Sequence, residues 1–139
     1  MIPKRLFIAV VDDEECVRKA LDRLLRSAGI DAETFASGED FLESLRSHRP
    51  DCVLLDLQMP RLTGFDVQTR LRESGARLPV IIITCQDSPA AHDRALAGGA
   101  VDYLRKPVKG KTLLDAIRRA VGEEDPSWNG PEKPHQLAT

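Results

Sequence analysis

The chain has 139 residues, of which 42% are hydrophobic, and a formal net charge of −2 at pH 7. This length favours one domain with a substantial core, and the near-neutral charge excludes nucleic-acid binding through bulk positive charge. Three widely spaced cysteines without a CxxC pair indicate free thiols, and no apolar run is long enough to span a membrane, so the sequence predicts a cytoplasmic protein without a membrane partner.

The first half of the chain alternates two hydrophobic patterns. Short apolar runs rich in valine and isoleucine predict strands covered on both faces, and apolar residues at helical spacing predict amphipathic helices. In chain order, they predict a strand over residues 5–11, a helix over 15–28, a strand over 32–35, a helix that begins after Ser37 and a strand over 52–55. Gly29 ends the first helix, and Ser37 is the predicted N-cap of the second.

The same alternation continues through the second half. The patterns predict a helix after Gly64, a strand over 80–83, a helix from Pro89 to residue 97, a strand over 101–104 and a helix over 111–121. Ser88 and Pro89 have the N-cap and first-turn proline of a helix start. Five strand–helix repeats predict an α/β fold with a doubly wound parallel sheet, and ligands bind such sheets at the carboxyl ends of the strands.

The hydrophobic pattern stops after Gly122. Residues 123–139 are polar, contain several prolines and have no periodicity, which predicts a flexible tail after a domain that spans residues 1–122. We interpret the single tryptophan, Trp128, as part of this mobile tail rather than as a docked side chain.

Five polar residues stand at carboxyl ends of predicted strands. They are Asp12 and Asp13 after the first strand, Asp56 at the end of the third, Thr84 after the fourth and Lys106 after the fifth. Three carboxylates on one edge repel one another and need a cation, and oxygen ligands favour Mg²⁺, with Asp13 and Asp56 as direct ligands and Asp12 acting through water. A carboxylate beside Mg²⁺ can attack phosphorus to give an aspartyl phosphate. Lys106 and Thr84 would stabilise the charge on the phosphoryl oxygens.

The stretches around these residues resemble the receiver domain of two-component response regulators. The matching segments are Val-Asp-Asp-Glu at 11–14, Asp-Leu-Gln-Met-Pro at 56–60 with Gly64, Ile-Thr at 83–84, and Gly-Ala-Val-Asp-Tyr-Leu-Arg-Lys-Pro at 99–107. The resemblance implies a flavodoxin-like (βα)5 fold with strand order 2-1-3-4-5. Related sequences often continue into a helix-turn-helix DNA-binding domain, of the LuxR type in many cases.

The resemblance also implies a reaction. Asp56 would take a phosphoryl group from a sensor histidine kinase, assisted by Lys106 and Thr84, with Mg²⁺ as cofactor. The implied metal ligands are Asp12, Asp13, Asp56 and the backbone carbonyl of Gln58. Such a chain is a signalling phosphoacceptor, which catalyses only its own phosphotransfer and dephosphorylation.

A conformational switch is implied as well. In the family, the threonine moves toward the phosphoryl group and an aromatic residue on the fifth strand turns inward; here these are Thr84 and Tyr103. The face formed by the fourth helix, the fifth strand and the fifth helix then changes its protein partners, and whether phosphorylation also produces a homodimer stays open. The bond between Lys106 and Pro107 is often cis in this family.

The sequence departs from the family pattern in some places. Cys85 follows the threonine, where the family usually has Ala, Gly or Ser, and we interpret it as a small buried hydrophobe. Gln58 and Gln86 stand where the family tunes the dephosphorylation rate. Residues 123–139 are too few for a DNA-binding domain, so no direct nucleic-acid binding is expected. The chain is either a stand-alone receiver that contacts a downstream protein, or a fragment of a longer regulator with a missing output domain.

An enzyme is the alternative function. A Mg²⁺-dependent phosphatase of the haloacid-dehalogenase type also uses an aspartyl nucleophile with Thr, Lys and further acids. It usually needs a second Asp two residues after the nucleophile as general acid, and that position is Gln58 here. The chain also lacks a cap domain. A degenerate receiver that is never phosphorylated is disfavoured by the complete acid–Thr–Lys set.

Overall fold

The computed structural model describes residues 5–86 and 88–122, and the predicted tail with Trp128 lies outside them. Within them, five strands alternate with five helices in the predicted order. The strands are β1 (Phe7–Val11), β2 (Asp31–Phe35), β3 (Cys52–Leu55), β4 (Val80–Thr84) and β5 (Asp102–Arg105). The helices are α1 (Glu15–Ser27), α2 (Gly38–Ser44), α3 (Gly64–Glu73), α4 (Pro89–Ala97) and α5 (Gly110–Val121).

The observed ends match the predicted ones for β3 and α4 and differ by one or two residues for most of the other elements. The first strand begins at Phe7 rather than at residue 5, because pairing with β2 starts there. The fourth strand includes Thr84, which pairs with Arg105 of β5. The polar residue predicted to follow this strand is therefore its last member, held inside the sheet.

All four strand pairs are parallel, and the sheet order is β2-β1-β3-β4-β5. The predicted flavodoxin-like order is confirmed. Val11 pairs with both Phe35 of β2 and Leu55 of β3, so the ends of the central strands lie level with each other. Because every strand runs in the same direction, the loops that follow them all open at one edge.

Two apolar layers cover the two faces of the sheet. Alternate residues of β3 belong to different layers, with Cys52 and Leu54 in one and Val53 and Leu55 in the other. The first layer contains residues of α1 and α5, among them Leu21, Leu25, Leu113 and Ile117. The second contains residues of α2 and α3, among them Phe41, Val67 and Leu71. Helices on both faces explain why the three central strands, β1, β3 and β4, are buried along almost their whole length.

Side-chain caps fix where several helices begin. Ser37 and Ser88 accept hydrogen bonds from the backbone N–H groups of Asp40 and Ala91, as predicted. Thr63 caps α3 in a reciprocal capping box with Asp66, which the sequence analysis missed. Among the described residues, no helix has both the length and the hydropathy to cross a bilayer.

Candidate functional site

Charged side chains from three separate strands meet at the carboxyl edge of the sheet. Asp12 follows β1, Asp56 follows β3 and Lys106 follows β5. The Lys106 ammonium lies 2.7 Å from Asp12 Oδ2 and 3.5 Å from Asp56 Oδ2. It also donates a hydrogen bond to Glu14 Oε1 at 3.2 Å, a partner that the sequence analysis did not name. One cation is thus shared by three carboxylates.

Backbone hydrogen bonds hold both buried aspartates at their strand ends. The Asp56 N–H donates to the Val11 carbonyl at 3.0 Å, and the Asp12 N–H donates to the Phe35 carbonyl at 3.1 Å. Asp12 and Asp56 are only 2% and 3% exposed. Carboxylates buried to this degree are costly unless they are paired, and the nearly buried Lys106 side chain is the cation that compensates them.

The electrostatics of the site leave an excess of negative charge. Burial raises the pKa of Asp56, and the neighbouring charge of Asp12 raises it further, while Lys106 and the Gln58 N–H act in the opposite direction. Burial lowers the pKa of Lys106, but the hydrogen bond to Asp12 and the charges of Asp56 and Asp12 outweigh it, so the pKa of Lys106 rises overall. Lys106 therefore stays protonated at neutral pH, and its single positive charge does not balance the carboxylates that surround it.

A divalent cation fits this excess charge. Asp12, Asp13 and Asp56 each offer one carboxylate oxygen, and these atoms lie within 4.8 Å of one another. Asp13 is exposed, whereas the other two are buried, so the cluster opens to solvent on one side. Hard oxygen donors around a partly open position suit Mg²⁺, which retains several waters. The Gln58 N–H donates a long hydrogen bond, of 3.4 Å, to Asp56 Oδ1.

The loop after Asp56 passes close to the start of α3, and Gly64 makes this possible. A Cβ atom built on Gly64 would stand 2.8 Å from Leu57 Cα and would overlap the Asp56 carbonyl. The Gly64 N–H donates to the Leu57 carbonyl at 3.0 Å. Because no side chain fits there, glycine is required for the loop to hold Asp56 in its position.

Thr84 and Tyr103 contact the same loop residue. Thr84 is fully buried, and its Oγ1 accepts a hydrogen bond from the Gln86 N–H at 3.2 Å. The Tyr103 hydroxyl donates to the Gln86 carbonyl at 3.0 Å. The His92 ring from α4 packs edge-on against Tyr103, with the ring centroids 5.0 Å apart. Gln86 therefore links the end of β4 to β5, a link that spacing along the sequence did not show.

The interpretation of Cys85 as a buried hydrophobe is wrong, because this residue is exposed. It lies one residue past the end of β4, in the loop before α4, where the continuous burial of the strand ends. Cys16 is also exposed, whereas Cys52 is buried in β3, which raises the pKa of its thiol to about 12. All three cysteines are free thiols. The Lys106–Pro107 bond is cis, as the resemblance implied.

A family model for the response regulator receiver domain matches residues 8–118. The chain belongs to this family. The response regulator MprA of Mycobacterium sp. (strain KMS) is 39% identical over 127 residues, which cover 91% of this chain and 55% of that protein. The response regulator protein TodT of Pseudomonas putida is 38% identical over 114 residues, covering 82% of this chain and 50% of that protein. This receiver chain spans about half the length of the curated relatives it matches.

Solved receiver structures agree with the fold. A response regulator receiver protein from Burkholderia phymatum superposes with a TM-score of 0.78 at 45% identity, covering 88% of this chain and 99% of that one. The Vibrio cholerae chemotaxis protein CheY4 superposes with a TM-score of 0.79 at 29% identity, covering 84% and 99%. Membership of a signalling family favours the receiver over the alternative phosphatase.

Proposed function

We propose that this receiver is phosphorylated on Asp56 by a sensor histidine kinase in a Mg²⁺-dependent reaction. The observation that carries the proposal is the Lys106 ammonium, which lies 3.5 Å from Asp56 and is anchored by Asp12 at 2.7 Å. This position puts a fixed positive charge beside the oxygen that would attack phosphorus. A purely structural ion pair would not require the exposed Asp13 to lie within 4.8 Å of the two buried carboxylates.

The reaction transfers a phosphoryl group from a histidine nitrogen to a carboxylate oxygen. An Asp56 oxygen attacks the phosphorus, an O–P bond forms, the P–N bond breaks, and its electron pair goes to the imidazole of the kinase. Negative charge on the phosphoryl oxygens must be stabilised during transfer. The Lys106 ammonium and the Thr84 hydroxyl are the groups of this chain that supply this stabilisation.

The metal would be held by the acidic cluster. Asp13 and Asp56 are the proposed direct ligands, with Asp12 acting through water and the backbone carbonyl of Gln58 as a further ligand. Mg²⁺ supplies positive charge that offsets the mutual repulsion of the carboxylates and of the incoming phosphoryl oxygens. The raised pKa of Asp56, caused by burial and then by Asp12, supports a site that gains from a bound cation.

A change at Thr84 would be transmitted through Gln86 to Tyr103. The two hydrogen bonds on Gln86 support this route, because a movement of Thr84 toward a phosphoryl group would disturb the loop that holds the Tyr103 hydroxyl. The face of α4, β5 and α5 would then change its contact with a downstream protein or an output domain. Whether a LuxR-type output domain follows and whether phosphorylation produces a homodimer stay open. The free thiols support a cytoplasmic location.

Intact-mass measurement tests the reaction. The full chain is incubated with acetyl phosphate and Mg²⁺, and we expect the gain of one phosphoryl group. Asp56→Asn should abolish the gain, whereas Asp40→Asn, which removes an exposed carboxylate of α2, should leave it unchanged. No adduct under conditions where Mg²⁺ is shown to bind would contradict the proposal. Sustained turnover of a small phosphate ester would instead favour the phosphatase.

A further inference from the structure

A second candidate site lies at the edge of the sheet opposite Asp56. A cavity of about 360 Å³ is formed where α3 meets the loops that precede β4 and β5. It is lined by the polar residues Gln68, Arg72 and Arg77 and by apolar residues that include Leu71, Leu78 and Val101. Its volume is within the range of ligand pockets, which run from roughly 300 to 1,000 Å³.

Gln68 contributes a buried hydrogen-bond acceptor to this cavity. Its side chain is only 3% exposed, and its Nε2 donates to the Ala95 carbonyl at 2.9 Å. That bond assigns the other amide atom as Oε1, which is buried and has no hydrogen-bond partner in the described part of the chain. An acceptor left in this state costs roughly 1–3 kcal/mol.

Two arginines give the rim of the cavity a positive charge. Arg72 and Arg77 are exposed, and they are the charged residues among those that line the cavity. Neither forms an ion pair within residues 5–86 and 88–122, whereas Arg26 pairs with Asp22 and Arg119 pairs with Asp102. Unpaired positive charge beside an apolar cavity favours an anionic partner.

Exposed apolar surface borders the cavity at Val101, which is 53% exposed. Leu96, in the last turn of α4, is 42% exposed and lies two residues before Gly98, another residue of the lining. These two are the exposed large hydrophobic residues of the described chain. A small carboxylate could reach the arginines but would not cover Val101. The extent of the surface therefore favours a chain segment over a small molecule.

We propose that this cavity binds an extended acidic peptide segment of a partner protein. The carboxylates of the segment pair with Arg72 and Arg77, and one of its apolar side chains packs against Leu71 and Val101. The site uses none of the residues around Asp56. Binding is therefore expected in the unphosphorylated chain and in Asp56→Asn alike, which keeps this proposal separate from the proposed phosphorylation.

Nuclear magnetic resonance on the full ¹⁵N-labelled chain tests the proposal. The probe is acetyl-Leu-Glu-Asp-Leu-amide, and we expect shifts of the Gln68 side-chain amide and of the Gly98, Gly99 and Val101 backbone amides. The same peptide with both acids replaced by lysine should give none. The double variant Arg72→Glu with Arg77→Glu should weaken binding roughly tenfold or more. Arg23→Glu with Arg49→Glu, exposed arginines outside the cavity, is the charge-matched control and should bind normally.

A second variant fills the cavity without changing charge. A Cβ atom at Gly98 would stand 3.1 Å from the Gln68 amide atoms, and the φ of −79° at Gly98 is accessible to alanine. Gly98→Ala should therefore weaken peptide binding, while the other amide signals keep the chemical shifts of the folded protein. Absence of shifts at millimolar peptide would overturn the proposal. So would equal binding by the Arg72/Arg77 variant, or acetate alone reproducing the full set of shifts.

Discussion

The Lys106 ammonium lies closer to Asp12, at 2.7 Å, than to Asp56, at 3.5 Å. Asp12 is therefore the anchor of the lysine, and Asp56 keeps part of its capacity to accept another partner. This difference explains why burial and Asp12 together still raise the pKa of Asp56 although a cation lies nearby. Asp56, the proposed phosphoacceptor, is thus held in a site that its neighbours do not fully neutralise.

Asp56→Asn is expected to stabilise the metal-free protein at pH 7. An acid whose pKa is raised on folding lowers the free energy of unfolding at pH values where it is ionised. This loss is absent below the unfolded pKa of about 3.9, grows as pH rises through the folded pKa, and is constant above it. Urea unfolding should show a gain on the order of 1 kcal/mol at pH 7 that vanishes at acidic pH. Excess Mg²⁺ should stabilise the original chain more than the variant. A variant less stable at pH 7 without metal would contradict this account of the site.

Lys106→Met is expected to destabilise the fold and to abolish phosphorylation. The substitution leaves Asp12 and Asp56 without their shared cation, at a cost of roughly 1–3 kcal/mol because the site opens partly to solvent. The pKa of Lys106 is raised on folding, so the charged lysine stabilises the fold. This stabilisation is complete below the unfolded pKa of about 10.4 and is lost as pH rises through the folded pKa. Lys106→Arg keeps the charge and is the matched control. Equal stability of all three proteins at pH 7 would show that the ion pair contributes nothing.

Arg61 adopts a left-handed conformation, with φ of +64°, in the loop between β3 and α3. In this conformation, a residue other than glycine or asparagine lowers the free energy of unfolding by about 1 kcal/mol. Its ion pair with Glu39, at 3.2 Å, is exposed and is worth at most about 1 kcal/mol. Both Arg61→Gly and Arg61→Ala remove this pair, so thermal unfolding should find the glycine variant more stable than the alanine variant by about 1 kcal/mol. Equal melting temperatures would mean that the backbone carries no strain.

The capping box of α3 predicts a pH dependence of opposite sign to that of Asp56. Hydrogen bonds from the backbone and side chain of Thr63 lower the pKa of Asp66. A depressed pKa means that the stabilisation is complete above the unfolded value of about 3.9 and is lost as pH falls through the folded value. Asp66→Asn should therefore have a lower free energy of unfolding than the original chain at pH 6, and this difference should shrink in acid. A deficit that does not change between pH 6 and pH 2 would rule out the charge as its cause.

Much of the fold could be predicted because its signals are local. Apolar runs, N-caps such as Ser37 and terminating glycines such as Gly29 each act within a few residues, and the parallel order follows from their alternation. The gathering of Asp12, Asp56 and Lys106 at one edge also follows, since carboxyl ends of parallel strands share an edge. The exact ends of the strands could not be predicted from the sequence, because Thr84 belongs to β4 only through its pairing with Arg105.

The details that the sequence did not predict depend on contacts between distant segments. Glu14 was not identified as a partner of Lys106, although the two are 92 residues apart in sequence and only 3.2 Å apart in space. The exposure of Cys85 depends on where the helices stop covering the sheet. The cavity at Gln68 arises where α3 meets the loops that precede β4 and β5, and these segments are separate in the sequence.

The most direct test of the account identifies the phosphorylated residue. The full chain is phosphorylated with acetyl phosphate and Mg²⁺, the acyl phosphate is reduced with borohydride to homoserine, and the modified position is located by tandem mass spectrometry of peptides. Homoserine is expected at residue 56, and none is expected when Mg²⁺ is withheld. Homoserine at residue 12 or 13, or at no residue although Mg²⁺ binds, would contradict it.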